Sequence, residues 1–141
     1  MTTSGLRTDS FAHGHSHCLL CGRDNPASLG LAFHVRDEVA YARFQAYPKL
    51  QGYDGLLHGG VIASLLDAAM THCLFHRDIQ AVTGDLHIRF VRPVPCDMAV
   101  DLSAWMLSET PPLYRLRAEL SAEGTLLAWA EAKFMERRSH S

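Results

Sequence analysis

From Ala81 to Met135 the chain consists of four strand-length runs in succession, with one long apolar segment of helical period before them and none among them. This order most restricts what the chain can fold into. Leu113–Leu120 alternates cleanly, with Tyr114, Leu116, Ala118 and Leu120 set against Arg115, Arg117 and Glu119. Strict alternation is the pattern of a half-buried strand. Ala81–Val94 places Leu86, Ile88 and Phe90 on one face, and Met98–Leu107 does so with Val100, Leu102 and Ala104. Thr125–Met135 groups Leu126, Ala128, Ala130, Ala132 and Phe134. The breaks at Pro93 to Pro95, Thr110-Pro111-Pro112 and Glu123-Gly124 are turn chemistry. Two more strands are expected before the helix, at Leu29–Arg36 and, after a tight turn at Arg36-Asp37, at Val39–Gln45. Consecutive strands around a single helix favour an antiparallel sheet that covers it. Ala128, Ala130 and Ala132 suit close packing of helix on sheet.

The helix is expected from about Gly59 to Phe75. At about 100° per residue, Ile62, Leu65, Leu66, Ala69 and Cys73 share one side, and Gly60, Ser64, Asp67 and Thr71 form the opposite stripe. Asp67 is the only charged residue between Asp54 and Arg77. His58, Gly59 and Gly60 stand before it, at the helix start. A helix N-terminus offers unsatisfied N–H groups and a positive dipole end. Glycines there leave that backbone bare. Such a pairing suits chemistry on a carbonyl, although a solvated carboxylate on an amphipathic helix is the plainer alternative.

Bulk properties narrow the classes. The 141 residues suffice for one domain with a real core. A net charge of −2 gives no basic stripe of the kind nucleic-acid binding requires, and no pull toward an anionic membrane. No apolar run approaches the roughly 18–20 residues that span a bilayer, and Met1 to Ser10 lacks the apolar core of a signal peptide. A cytoplasmic, reducing home is the expectation, with the cysteines as thiols. Residues 1–17 read as a mobile polar tail, 18–136 as one domain, and 137–141 as a short C-terminal tail.

Five landmarks then stand in order: Cys18-Leu19-Leu20-Cys21-Gly22 followed by Asn25-Pro26 and Leu29-Gly30-Leu31; Gln51-Gly52-Tyr53; His58-Gly59-Gly60; Asp67; and Ala81-Val82-Thr83 with Arg92-Pro93-Val94. In this the chain resembles the hotdog-fold thioesterases of the phenylacetate-type acyl-CoA branch, from Cys18 to Met135. The resemblance implies an α+β hotdog fold, an antiparallel sheet of five to six strands wrapped around one central helix. It further implies a homodimer, or a homotetramer built as a dimer of dimers, that hydrolyses acyl-CoA thioesters without metal or organic cofactor. Carried over by position, Asp67 matches the catalytic carboxylate, Gly60 the oxyanion-hole N–H, His58 the motif histidine that shapes the loop, and Thr83 a hydroxyl that assists the attacking water. Gln51 lies a residue away from where asparagine-bearing relatives place their substrate-orienting amide. His87 stands where relatives often have Asn. Gly59, Ser64, His87, Arg89 and Arg92 complete the substrate-binding candidates, the arginines toward CoA phosphates.

Helix geometry adds a constraint. Gly60 and Asp67 share a face but are separated by about 10 Å along the axis at 1.5 Å per residue. One carbonyl carbon needs both groups within roughly 3–4 Å. Two subunits with antiparallel helices can supply both, Asp67 from one and Gly60 from the other. His13, His15, His17, Cys18 and Cys21 are metal-ligand types with a zinc-like Cys-x-x-Cys spacing. The usual second pair farther along is missing, so the remaining ligands would have to come from the tail; the resemblance implies this Cys-x-x-Cys-Gly without metal, and no stoichiometric zinc is expected. The rival functional reading is a non-catalytic acyl-CoA-binding hotdog module, a sensor or scaffold. A hotdog dehydratase or hydratase ranks third, because the loop reads Gln51-Gly52-Tyr53-Asp54-Gly55 rather than proline-rich.

Overall fold

A computed structural model of the chain describes residues 6–7 and 14–137. Its elements are β1 (Leu6–Arg7), β2 (His34–Arg36), β3 (Val39–Gln45), α1 (Gly59–His76), β4 (Ala81–Phe90), β5 (Ala99–Thr110), β6 (Leu113–Ala122) and β7 (Thr125–Glu136), with a 3-10 turn at Pro48–Leu50. The sheet is antiparallel throughout, in the order β1-β2-β3-β5-β6-β7-β4. Six strands of three residues or longer wrap the single helix, as the run of strands predicts.

The alternating residues go where their pattern directs. Tyr114, Leu116, Ala118 and Leu120 are buried, as are Ala128, Ala130, Ala132 and Phe134. Leu65 and Leu66 of α1 are fully buried against that sheet. Truncating either to Ala would cost about 2–5 kcal/mol. The β2–β3 hairpin closes through Asp37 and Glu38, both at positive φ (53° and 65°), the two-residue geometry that matches strand twist.

Several expectations need correction. The strand expected from Leu29 begins only at His34, because the Leu29 and Leu31 N–H groups donate to the Leu19 and Leu20 carbonyls instead (2.8 and 2.9 Å). Leu31 and Phe33 are still buried. β4 stops at Phe90 rather than Val94. In β7, Leu127 is buried and Leu126 is not, since a register shift between Leu120 and Ser121 displaces the alternation there. Thr71, placed on the polar stripe, is buried; its hydroxyl donates to the Asp67 carbonyl at 3.0 Å. From Ala68 to Phe75 every residue of α1 is buried. The expected tail is also partly structured. Leu6–Arg7 pairs with His34 and Val35, and the His15 ring packs edge-on against Phe75 at 4.9 Å. The remainder of that tail before Gly14, and residues 138–141, lie outside the described residues.

Candidate active site

Asp67 sits at the middle of α1, facing β4. Its Oδ1 accepts a hydrogen bond from the Thr83 hydroxyl at 2.5 Å. Burial raises the Asp67 pKa above the ordinary carboxylate value; the Thr83 hydrogen bond and the charge of His15 pull it partly back. A β-bulge makes the Thr83 contact possible. Leu86, Ile88 and Phe90 stand opposite Ala132, Ala130 and Ala128 of β7, on the helix side of the sheet. Strict alternation would put Thr83 on the other side with Asp85, His87 and Arg89. The register shifts between Thr83 and Asp85, so the extra residue Gly84 brings Thr83 opposite the buried Phe134. Re-aiming a side chain in this way is a known use of bulges.

The helix N-terminus forms a second centre. His58 has extended backbone (φ −61°, ψ 134°) and caps α1 through its own ring, Nδ1 accepting the Gly60 N–H at 2.8 Å. The proton on that imidazole is therefore on Nε2. The N–H expected to form an oxyanion hole is thus held by the cap in this conformation. The Gly59 N–H has no protein acceptor among the described residues. The preceding loop is internally tied: Gln51 Oε1 accepts the Gly55 N–H at 3.0 Å, and the Gly52 N–H donates to the Leu56 carbonyl at 2.9 Å. Gly55 has φ +80°, a conformation that favours glycine. Gln51 therefore shapes the loop with its amide oxygen.

These two centres open into different spaces within one chain. A cleft of about 640 Å³ lies beside His58 and Gly59, walled also by Tyr53, Phe90 and Arg92. Asp67 instead lines a cavity of about 110 Å³ together with Ser64, Thr71, His15, Cys18 and Cys21. Ser64 donates to the Gly60 carbonyl at 2.9 Å, so it bridges the helical turns between the two centres. The structure thus groups Asp67, Thr83 and Ser64 in one place, and His58, Gly59, Gly60 and Arg92 in another. His87 and Arg89 fall with neither. They stand opposite Glu131 and Trp129 on the outer face of the sheet, with the His87 ring 5.5 Å from Trp129. Sequence reasoning missed the wall that His15, Cys18 and Cys21 build around Asp67; the His-x-x-Cys-x-x-Cys spacing was the available signal.

The sequence model of the Thioesterase superfamily matches residues 54–128, which span Gly59, Gly60, Asp67 and Thr83. The bovine (Bos taurus) acyl-coenzyme A thioesterase THEM4 is 45% identical over 58 residues, 40% of this chain and 23% of that protein. The chain thus matches about a quarter of the length of that relative. Among solved structures, the thioesterase superfamily protein RHA08564 superposes with a TM-score of 0.79 at 21% identity, covering 85% of this chain and 60% of the other. A point mutant of the phenylacetic acid degradation protein PaaI from Thermus thermophilus gives 0.71 at 23% identity, covering 77% and 95%. With more than half its length inside the family match, the chain belongs to the thioesterase superfamily, and its one helix wrapped by an antiparallel sheet is the hotdog fold.

Proposed function

We propose that the chain hydrolyses acyl-CoA thioesters to free acid and CoA, in the phenylacetate-type branch of the family, at sites shared between two subunits. The observation that carries this reading is the separation of Asp67 and the glycine-opened helix start into two cavities. Each is half of what thioester hydrolysis needs. The acyl-CoA substrate is suggested by the name of the THEM4 relative.

The dimer is supported by the sheet edge. Among the described residues β4 pairs with β7 on one side only, and Val82, Leu86 and Phe90 are exposed along it. An open apolar edge strand is a template for pairing. Edge-to-edge pairing of two β4 strands sets the two helices antiparallel and brings Asp67 of one chain toward Gly59 and Gly60 of the other. Two such dimers pair again in the tetrameric form.

In the proposed reaction Thr83 occupies Asp67 Oδ1, leaving Oδ2 for water. Asp67 takes a proton from that water as its oxygen bonds to the thioester carbonyl carbon. The developing oxyanion is received at the helix N-terminus, where it replaces the His58 ring as acceptor of the Gly60 N–H. Collapse breaks the carbon–sulfur bond, and the departing CoA sulfur takes the proton back from Asp67. Arg92, in the cleft with His58 and Gly59, is positioned for a CoA phosphate. The unbridged thiols of Cys18, Cys73 and Cys96 suit a reducing, cytoplasmic setting.

The test is a panel of acyl-CoA thioesters from acetyl to palmitoyl and aryl, read by free-thiol release, with wild type and Asp67→Asn compared. Hydrolysis that Asp67→Asn abolishes supports the reading. Retained CoA binding without hydrolysis by either overturns it in favour of a non-catalytic acyl-CoA-binding module. Inactive Asp67→Ala and Gly60→Leu chains, mixed as heterodimers, should recover about one working site per dimer; no recovery sinks the shared site.

A further inference from the structure

The segment before the first long strand folds into a compact knuckle. The Cys18 N–H donates to the His15 carbonyl at 3.1 Å, the Gly22 N–H to the Cys18 carbonyl at 2.8 Å, and the Asp24 N–H to the Ser16 carbonyl at 2.8 Å. The Leu20 N–H points at Cys18 Sγ at 3.3 Å. Gly22 is indispensable to this turn: a Cβ there would collide with the Cys18 backbone nitrogen and lie 2.6 Å from the Ser16 carbonyl oxygen.

The turn brings three donor atoms together. One nitrogen of His15 and the sulfurs of Cys18 and Cys21 all lie within 4.8 Å of one another, with Cys21 Sγ and His15 Nδ1 3.8 Å apart. Tetrahedral zinc with bonds of about 2.3 Å to sulfur and about 2.0 Å to nitrogen needs ligand atoms roughly 3.5–3.8 Å apart. The donor atoms are thus within about 1 Å of the spacing that coordination needs. The edge-on contact with Phe75 fixes the plane of the His15 ring. His17 stays outside the group, exposed and 3.1 Å from Ser16 Oγ, and His13 lies outside the described residues.

We infer that His15, Cys18 and Cys21 bind one zinc ion, with a water as fourth ligand in the cavity shared with Asp67. His15 takes the place of the second Cys or His pair that the spacing lacked. Two thiolates and a neutral imidazole balance the charge of a divalent ion. Both thiols release their protons to solvent on binding. The Leu20 N–H, aimed at Cys18 Sγ, is a donor suited to a thiolate. The knuckle also touches the Asp67 cavity through Leu20, so the ion pins the N-terminal segment onto α1 at the wall of the candidate active site.

The test uses the tag-free full-length chain, purified with zinc in the buffers and then dialysed. Elemental analysis should find about one zinc per chain. Replacement by cobalt(II) should give the charge-transfer absorption of a thiolate-bound ion. Cys18→Ser, Cys21→Ser and Gly22→Ala should each lower zinc affinity by about tenfold or more, while Cys73→Ser and Cys96→Ser keep it. Circular dichroism would confirm that the variants fold. Sub-stoichiometric zinc in wild type with no cobalt–thiolate band would overturn the assignment, and so would full stoichiometry in both Cys18→Ser and Cys21→Ser. These readouts are independent of thioester hydrolysis, so the metal site and the proposed activity stand or fall separately.

Discussion

Thr83 Oγ1 donates to Asp67 Oδ1 at 2.5 Å, fastening the open edge strand of the sheet to the middle of the central helix. The bond acts on the charged form of Asp67 and lowers a pKa that burial has raised. As a general base, Asp67 works only when ionised, so the acid limb of kcat against pH should lie above the ordinary carboxylate range. Thr83→Val removes one of the influences that lower the pKa. Its acid limb should move to higher pH, and its plateau should fall by about tenfold. An acid limb unmoved in Thr83→Val would show that Asp67 is not the titrating base.

The same burial has a thermodynamic sign. In the unfolded chain Asp67 ionises at its ordinary value of 3.8, and in the folded chain at a higher pH. The folded state therefore holds this proton more tightly. The stability linked to it is complete below 3.8 and is lost as pH rises through the raised value. At neutral pH Asp67→Asn should thus melt at a higher temperature than wild type while losing about 10²-fold or more in kcat. The two melting temperatures should converge at about pH 4 and below. A variant less stable than wild type at neutral pH would contradict this account.

The two glycines of the helix start should respond differently. A Cβ on Gly60 would sit 3.1 Å from His58 Nδ1 and Cε1, whereas one on Gly59 would make ordinary contacts of 3.6 and 3.7 Å with the Phe90 ring. Gly60→Ala should therefore disturb both the cap and the approach to its N–H, and lower kcat by about 10²-fold. Gly59→Ala should cost less than about tenfold. Comparable losses in the two would move the oxyanion site away from Gly60.

Isotope labelling distinguishes water attack from attack by the carboxylate itself. In a single turnover in ¹⁸O-water, a base mechanism puts the label into the released acid at once. A mixed anhydride that water opens at the Asp67 carbonyl would instead put an unlabelled Asp67 oxygen into the first product and the label into Asp67. Label in the first-turnover acid is expected.

Hydrophobic period made most of the fold legible. The alternation over β6, and over β7 from Ala128 to Phe134, is regular enough that tertiary packing only had to agree with it. It misled where an extra residue entered. Parity along β4 assigns Thr83 to the outer face with His87, and only the bulge at Gly84 brings it to Asp67. Family spacing pointed to Thr83 while residue alternation pointed away from it. His87 and Arg89 follow alternation without interruption and end on the outer face. The strand expected from Leu29 failed for another reason. Its first N–H groups pair with the 19–20 loop, a long-range choice that no local window contains. The helix stripe misread Thr71 because a helix surrounded by sheet has little solvent side left to show.

The bulge at Gly84 also makes the site a matter of counting. Removing one residue from β4 before Asp85 would restore regular alternation and turn Thr83 outward, leaving every candidate side chain of the site present in the sequence. A Cβ at Gly84 would meet only the Lys133 carbonyl oxygen, at an ordinary 3.6 Å, so its place in the chain matters more than its lack of a side chain. A single-codon insertion or deletion in this strand would therefore make or break the hydroxyl–carboxylate pair, and would at the same time turn Ala81 away from the core it packs against.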